Sequence, residues 1–131
     1  MSEENIWTVA GDGILEKVKS YIVEGCDINA KDSFGYTPIH AAAAYAQMGV
    51  LNWLIDNGAN VNVIDADGDT PLHHCESVEP AQLLIAKGAN VYQQNAAGET
   101  PLSSAEESES EELAAFLREA MASGRSVGAV P

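Results

Sequence analysis

Few side chains in this 131-residue sequence are of types and spacings that could do chemistry. One set of acids follows the 1-3-5-12 spacing of a calcium-binding loop: Asp65, Asp67, Asp69 and Glu76. That loop needs its sharp-turn glycine at the sixth position, where this chain has Thr70, and Pro71 would start a helix inside it. A tight turn followed by a capped helix explains the same residues, so we predict no calcium site.

A second set is the run His73-His74-Cys75-Glu76, which collects four possible metal ligands. Consecutive residues of a helix point about 100° apart, so they do not converge on one ion. Zinc sites draw ligands from more than one cluster at characteristic spacings, and the run has no partner cluster. We predict no metal here, with His74 and Cys75 as neighbours on a packed helix.

His74 and Cys75 are also the ingredients of a nucleophilic pair. The sequence shows neither a third group to orient the histidine nor a loop that could form an oxyanion hole. An acidic chain would moreover raise the pKa of a thiol, and a reactive cysteine needs that pKa lowered. The glycines match no phosphate-binding pattern either. We predict no catalytic residue, no cofactor and no enzymatic activity.

The charge balance restricts the possible partners. Lys and Arg total 6 against 20 Asp and Glu, for a formal net charge of −14. Such an acidic protein lacks the basic face that nucleic acid or an anionic membrane requires. Apolar residues make up 46% of the chain, enough for a core, but no run approaches the roughly 18 residues of a membrane span.

The cysteines and the first residues bear on the compartment. Two cysteines, Cys26 and Cys75, make no disulfide framework and are expected to be free thiols in a reducing compartment. The start of the chain is acidic and does not read as a secretory signal. We therefore expect a cytoplasmic protein, with the nucleus as a second compartment.

Two short sequence motifs recur along the chain at the same pair of intervals, and they indicate the helices that carry these side chains. The dipeptide Thr-Pro begins at residues 37, 70 and 100, which are 33 and then 30 residues apart. Glycines at 25, 58 and 88 show the same two intervals. Thr before Pro is typical of a helix start, and Gly of a helix end. Each copy is therefore predicted to hold a turn, a helix, a short turn and a second helix, over about 38–45 and 48–56 in the second copy.

The repeated motif resembles the ankyrin repeat family. The resemblance is carried by Asp32-Ser33-Phe34-Gly35-Tyr36-Thr37-Pro38-Ile39-His40-Ala41-Ala42 and its partial copy Asp65-Ala66-Asp67-Gly68-Asp69-Thr70-Pro71-Leu72-His73. It implies an all-α solenoid of stacked helix-turn-helix units with hairpin-like loops. In that family the inner helices and hairpin tips form a concave face, and the histidines at 40 and 73 bond within and between repeats.

The copies suggest one complete domain over residues 1–122. We expect four units at about 3–31, 32–64, 65–94 and 95–122, the outer two being polar caps, and a flexible tail at 123–131. Ala46 stands where the family usually has a glycine between helices. The third copy is three residues short around Ser77–Pro80, so either its inner helix ends early or its outer helix, starting around Pro80, begins late. We expect a dent in the concave face there.

The resemblance places the candidate partner-binding residues on the hairpin tips and the inner helix. Phe34 and Tyr36 are prominent because the next tip has Asp67 and Asp69 at the matching positions, so the fold does not require aromatics there. Exposed aromatics are typical binding anchors. The full set is Ser33, Phe34, Tyr36, Tyr45, Asp67, Asp69 and Glu99.

We therefore predict a monomeric, non-catalytic protein-binding module, an adaptor, regulator or assembly factor. Its partner should be another protein with a basic segment and an apolar anchor, because aromatics ringed by carboxylates suit such a segment. The alternative is a dedicated enzyme inhibitor, for example of a protein kinase. The chain resembles the small cyclin-dependent-kinase inhibitors of the family in length and in having one shortened inner helix, although in those proteins the shortening lies in the second unit.

Overall fold

The computed structural model describes residues 4–123, which form four consecutive pairs of helices. The pairs are α1 Ile6–Gly11 with α2 Leu15–Val23, α3 Pro38–Ala44 with α4 Met48–Asp56, α5 Pro71–His74 with α6 Val78–Ala86, and α7 Pro101–Glu107 with α8 Glu111–Ser123. No residue between 4 and 123 lies in a strand, so the predicted all-α fold is confirmed. Ser123, the first residue of the predicted tail, ends α8, and residues 124–131 lie outside the described range.

Successive pairs stack on one another in chain order. The first helices contact each other in the series α1, α3, α5 and α7, and the second helices in the series α2, α4, α6 and α8. Apolar side chains between the layers form one continuous core, which includes Val9, Ile39, Leu51, Leu72, Leu84 and Leu117. The chain is therefore a solenoid in which each unit is stabilised by its neighbours. None of its helices from residue 4 to 123 is long and apolar enough to cross a membrane.

Two buried histidines connect the inner helices α3 and α5 to the loops that follow in the next unit. His40 accepts a hydrogen bond at Nδ1 from the backbone N–H of Thr37, 3.1 Å away. Since Nδ1 is an acceptor, the proton of the neutral ring lies on Nε2, which donates to the carbonyl oxygen of Asp69 at 2.8 Å. His73 repeats both bonds one unit further along, its Nε2 donating to the carbonyl of Glu99 at 2.8 Å. These bonds fix the spacing between adjacent hairpin-like loops.

The loops between units carry tight turns with glycine at the left-handed position. Gly35 and Gly68 have φ angles of +76° and +78°, a conformation that favours glycine. A Cβ atom on Gly35 would also come within 2.7 Å of the backbone nitrogen of Ala66 in the next loop. That nitrogen donates to the carbonyl of Phe34 at 2.9 Å. Adjacent loops thus contact each other through backbone, which aligns their tips along one edge of the stack.

The three-residue deficit of the third copy falls entirely on its inner helix. Helix α5 has 4 residues where α3 has 7, whereas α6 and α4 both have 9. The outer helix begins at Val78 after the N-cap residue Ser77, not around Pro80. Of the two alternatives that the sequence left open, the inner helix ending early is the one observed.

Candidate functional site

Phe34 is the most exposed aromatic of the predicted site. Its side chain is 74% exposed at the tip of the loop before α3, next to the exposed Ser33. The tip keeps its shape without the ring, because the Oδ1 atom of Asp32 accepts hydrogen bonds from the backbone N–H groups of Phe34 and Tyr36 at 2.8 and 2.9 Å. The ring is therefore available to a partner.

Tyr36 is less exposed than its place at the tip suggested. It is half-buried and stacks on His40, with 5.3 Å between the ring centroids, and meets His74 edge-on at 5.5 Å. Burial raises the pKa of Tyr36 to about 12, so the phenol is neutral at any physiological pH. Tyr36 can offer only one side of its ring to a partner.

The predicted acidic side chains differ in how free they are. Asp67 is exposed at the second tip, whereas Asp69 and Glu99 are half-buried. The side-chain amide of Asn95 donates to Asp69 Oδ1 at 2.8 Å and to Glu99 Oε1 at 3.1 Å. Asp69 and Glu99 therefore help to hold adjacent loops together, and Asp67 has the freest carboxylate of the three.

His74 occupies a place in this face that the sequence analysis did not foresee. Its Nε2 lies 2.9 Å from Asp65 Oδ2 and 3.8 Å from Asp69 Oδ2. Burial acts to raise the pKa of Asp65, but the hydrogen bonds from His74 and from the backbone N–H groups of Asp69 and Asp67 outweigh it and lower that pKa overall. The sequence did contain a sign of this role. His74 directly follows the repeat histidine His73, whereas the equivalent residue of the second copy is Ala41.

The same cluster brings together atoms that could contact a cation. Ligand atoms of His40, Asp65 and His74 lie within 4.8 Å of one another, although none of these residues is adjacent in sequence. His40, however, uses both ring nitrogens in hydrogen bonds, Nδ1 with the backbone N–H of Thr37 in its own unit and Nε2 with the carbonyl of Asp69 in the next unit. A metal ion would have to break one of them, so we interpret the cluster as a hydrogen-bonded junction between the second and third units.

Cys75 and His74 do not form a nucleophilic pair. The Cys75 thiol is only 6% exposed and its Sγ is 3.6 Å from the carbonyl oxygen of Pro71, while the ring of His74 bonds to Asp65. Burial raises the pKa of the Cys75 thiol, so it is not a thiolate at neutral pH. An acid that orients the histidine is present in Asp65, but the cysteine that it would serve is buried in the core.

A groove of about 730 Å³ lies between α1 and α3. Gly11 and Ala41 are among its lining residues, and the edge of the Tyr45 ring is so close to Gly11 that a Cβ there would be 3.2 Å from Tyr45 Cδ2. Tyr45 itself is 67% exposed. The groove is rich in two kinds of side chain, the aromatic Trp7, Tyr36 and Tyr45 and the acidic Glu4, Asp12 and Asp32.

This geometry joins only part of the predicted site. Tyr36 and Tyr45 share the groove, whereas Phe34, Asp67 and Glu99 lie on successive tips outside it. Asp12 was not predicted as a site residue, because it does not stand out in sequence from the other acids. The arrangement offers aromatic faces and carboxylates to a cationic or apolar group.

Stacked helix pairs with hairpin-like loops define an ankyrin-type solenoid, and comparison with known sequences agrees. The family described as ankyrin repeats in three copies matches residues 6–95, and the chain belongs to the ankyrin repeat family. An ankyrin repeat-containing protein of Schizosaccharomyces pombe is 44% identical over 81 residues, which are 62% of this chain and 39% of that protein.

Two human proteins are also similar. Protein phosphatase 1 regulatory subunit 27 is 37% identical over 59 residues, covering 45% of this chain and 38% of that protein. BCL-6 corepressor-like protein 1 is 36% identical over 63 residues, covering 46% of this chain and 4% of that protein. The matched region thus spans about two fifths or less of each of these three relatives.

Proposed function

We propose that this protein is a non-catalytic module that binds another protein through its concave face and hairpin tips. Ankyrin repeats are generally protein-protein interaction modules, which supports the class. The observation that carries the proposal for this chain is Phe34, 74% exposed at a tip whose conformation is held by Asp32 and Gly35 without it. A large exposed aromatic with no structural task is typical of a binding anchor.

The partner segment that fits this face is basic with an apolar anchor. The chain carries a formal net charge of −14, and the exposed Asp67 lies one tip away from Phe34. Asp12 and Asp32 add carboxylates beside the aromatic rings of the groove. Complementary charge would accelerate association, and contact with the aromatic rings would slow dissociation.

The remaining parts of the proposal concern the state of the protein in the cell. We propose that residues 1–122 act as one domain and that the protein is monomeric and cytoplasmic, with the nucleus as a second compartment. Neither Cys26 nor Cys75 is in a disulfide, which fits a reducing compartment. Light scattering after gel filtration should give the 13.8 kDa of a single chain. A concentration-dependent larger mass would contradict the monomer.

The test of the binding function starts with partner identification and ends with a matched pair of variants. Affinity purification with crosslinking mass spectrometry would identify a partner and the residues nearest to it. Phe34→Ala should then weaken binding by about 2 kcal/mol if Phe34 is a hot spot. Val23→Ala, which truncates an 85% exposed side chain in the outer helix α2, should leave it unchanged. Equal effects of the two variants would contradict the proposed face.

Regulation of an enzyme is the second candidate. One relative bears the name of a protein phosphatase regulatory subunit, and this chain is 37% identical to it over 59 residues. The shortened inner helix α5 is the feature that suggested a kinase inhibitor from sequence. Kinase and phosphatase activities measured with and without added protein separate the two candidates. A change in activity that Phe34→Ala abolishes would favour the regulator, and binding without such a change would favour the adaptor.

A further inference from the structure

The repeat provides an internal comparison for the acid at the base of each tip. Asp32, Asp65 and Asn95 occupy equivalent positions, and each accepts two backbone N–H groups of its own loop at Oδ1. The other side-chain atom of Asp65 bonds to His74, and that of Asn95 bonds to Asp69 and to Glu99. For Oδ2 of Asp32, no donor is found among residues 4–123.

The second unit lacks the side chain that would donate to Oδ2 of Asp32. His74, which bonds to Asp65, directly follows the repeat histidine of its unit, and the residue that follows His40 is Ala41. Both Ala41 and Asp32 line the groove between α1 and α3. The second unit therefore has a groove and a carboxylate oxygen where the third unit has an imidazole bonded to its carboxylate.

We infer that this groove receives an arginine side chain of the partner, in the place that corresponds to the His74 ring one unit further along. The inference rests on the proposed function and deepens it by naming the group that is bound. The guanidinium would donate to Oδ2 of Asp32 and lie against Tyr36 and Tyr45.

Arginine fits the lining better than lysine does. A guanidinium is planar, stacks on aromatic faces and donates several N–H groups in fixed directions, whereas an ammonium is a compact and strongly hydrated point charge. The groove offers aromatic rings together with the carboxylates of Asp12 and Asp32. His74 shows the same combination inside the protein, with Asp65 as its acceptor and the edge of Tyr36 against its ring.

Two substitutions test the groove, and the chain itself suggests both. Asp32→Asn removes the charge but should keep the loop, because Asn95 builds the same turn in the fourth unit. Ala41→His introduces the imidazole of the third unit and should occupy the groove from within. Asp56→Asn is the matched control, since it removes one charge from an exposed position at the end of α4, outside the groove.

The probe is a capped peptide, acetyl-Gly-Arg-Gly-amide, titrated into ¹⁵N-labelled protein. The isosteric citrulline peptide is the neutral control, and the lysine peptide tests the preference for a guanidinium. The amides of Asp32, Ala41 and Tyr45 should shift with the arginine peptide most strongly. Asp32→Asn and Ala41→His should each weaken this binding about tenfold, the size expected for loss of a charged hydrogen bond. Asp56→Asn should change it less than twofold.

Equal binding of the arginine and citrulline peptides would overturn the inference, and so would shifts confined to other faces. If Ala41→His does not fold, as judged from its ¹⁵N spectrum, the Asp32→Asn result decides. A captured partner separates the two proposals. Binding that is lost in Phe34→Ala but unaffected by both groove variants would retain the proposed function and reject the arginine site. Binding that ignores all three variants would reject both.

Discussion

Ala46 has a backbone conformation that is unfavourable for a residue with a Cβ atom. It has a φ of +55° in the turn between α3 and α4, where the turn between α1 and α2 has Gly13 at φ +77°. The left-handed conformation costs an L-residue about 1–2 kcal/mol, and the greater freedom of an unfolded glycine returns about 0.4–1 kcal/mol of that on replacement.

Ala46→Gly should therefore raise the free energy of unfolding by roughly 0.5–1 kcal/mol. Chemical denaturation of the two proteins measures the difference. Ala115→Gly is the matched control, because Ala115 is exposed inside α8, and there the same substitution should lower stability by about 1 kcal/mol. A loss of stability in both variants would show that the turn does not strain Ala46.

His40 is the residue through which mild acid should weaken the stack. Burial lowers the pKa of His40, and among its neighbours His74 lowers it further while the Asp69 carbonyl and the carboxylates of Asp65 and Asp69 oppose the shift. The stability that His40 contributes is thus fully present above the unfolded pKa of about 6.5 and is lost as pH falls from there towards the lower folded pKa. Protonation would also put a hydrogen on Nδ1, which accepts from Thr37.

The free energy of unfolding should decrease between pH 6.5 and 5, with a limiting slope of about 1.4 kcal/mol per pH unit for one proton. Denaturation curves over this interval give the slope, and NMR titration of the His40 ring assigns it. The interval lies above the ordinary pKa of the carboxylates, which keeps their titration separate. A His40 ring that titrates at 6.5 or above would contradict the assignment.

At the scale of the element, we expect the four-residue helix α5 to be the weakest part of the stack. It buries Pro71, Leu72 and His73 between its neighbours, whereas the longer α3 buries six of its residues, Pro38, Ile39, His40, Ala41, Ala42 and Ala43. Because a terminal unit depends on the interface with its neighbour, the last pair, α7 and α8, should open more readily than the second pair.

Amide hydrogens of α7 and α8 should exchange faster than those of α3 and α4. Hydrogen exchange followed by mass spectrometry measures both pairs in one experiment. Insertion of three alanines after His74, which restores the length of the inner helix, should slow exchange in α7 and α8 and leave α3 and α4 unaffected. Equal protection of the two pairs in the original protein would count against a weak joint at α5.

The helices show how far the sequence predicts this fold. The spacing of Thr-Pro and Gly predicted α3 to within one residue and α4 in full, because these starts and stops are local. Which helix lost three residues in the third unit was not predictable, since Ser77 can cap a helix as well as continue a loop. The outcome depends on packing, and with α6 beginning at Val78 both Pro80 and Ala81 are buried.

At the scale of the whole molecule, contacts between units decide which predicted site residues are free. Sequence identified the tips, and Phe34 and Asp67 are exposed there. It could not show that Asn95 ties Asp69 to Glu99, nor that Asp32 and Tyr45 line one groove, because that contact and that groove form only where neighbouring units stack. The sequence of one copy is enough to predict the turn within it, but it does not predict the surface that forms where two copies pack together.

The net charge of −14 should act on a partner before contact is made. A surface whose charges share one sign steers an oppositely charged partner towards it and raises the association rate. Dissolved salt screens this attraction, with a screening length of about 10 Å at 0.1 M. Association with a basic partner should therefore slow as ionic strength rises, while dissociation changes little.

Asp67→Asn should slow association and flatten its salt dependence more than Glu24→Gln does. The two variants remove the same charge from exposed positions, but Asp67 lies on a tip and Glu24 at the end of the outer helix α2. Asp67 is preferred to Asp69, whose carboxylate accepts from Asn95 and so also supports the fold. Stopped-flow association of a fluorescent partner peptide at several salt concentrations gives both quantities. If the association rates of the two variants depended equally on salt concentration, the interface would lie away from the tips. The Glu-rich surface around α8 would then be the next region to test.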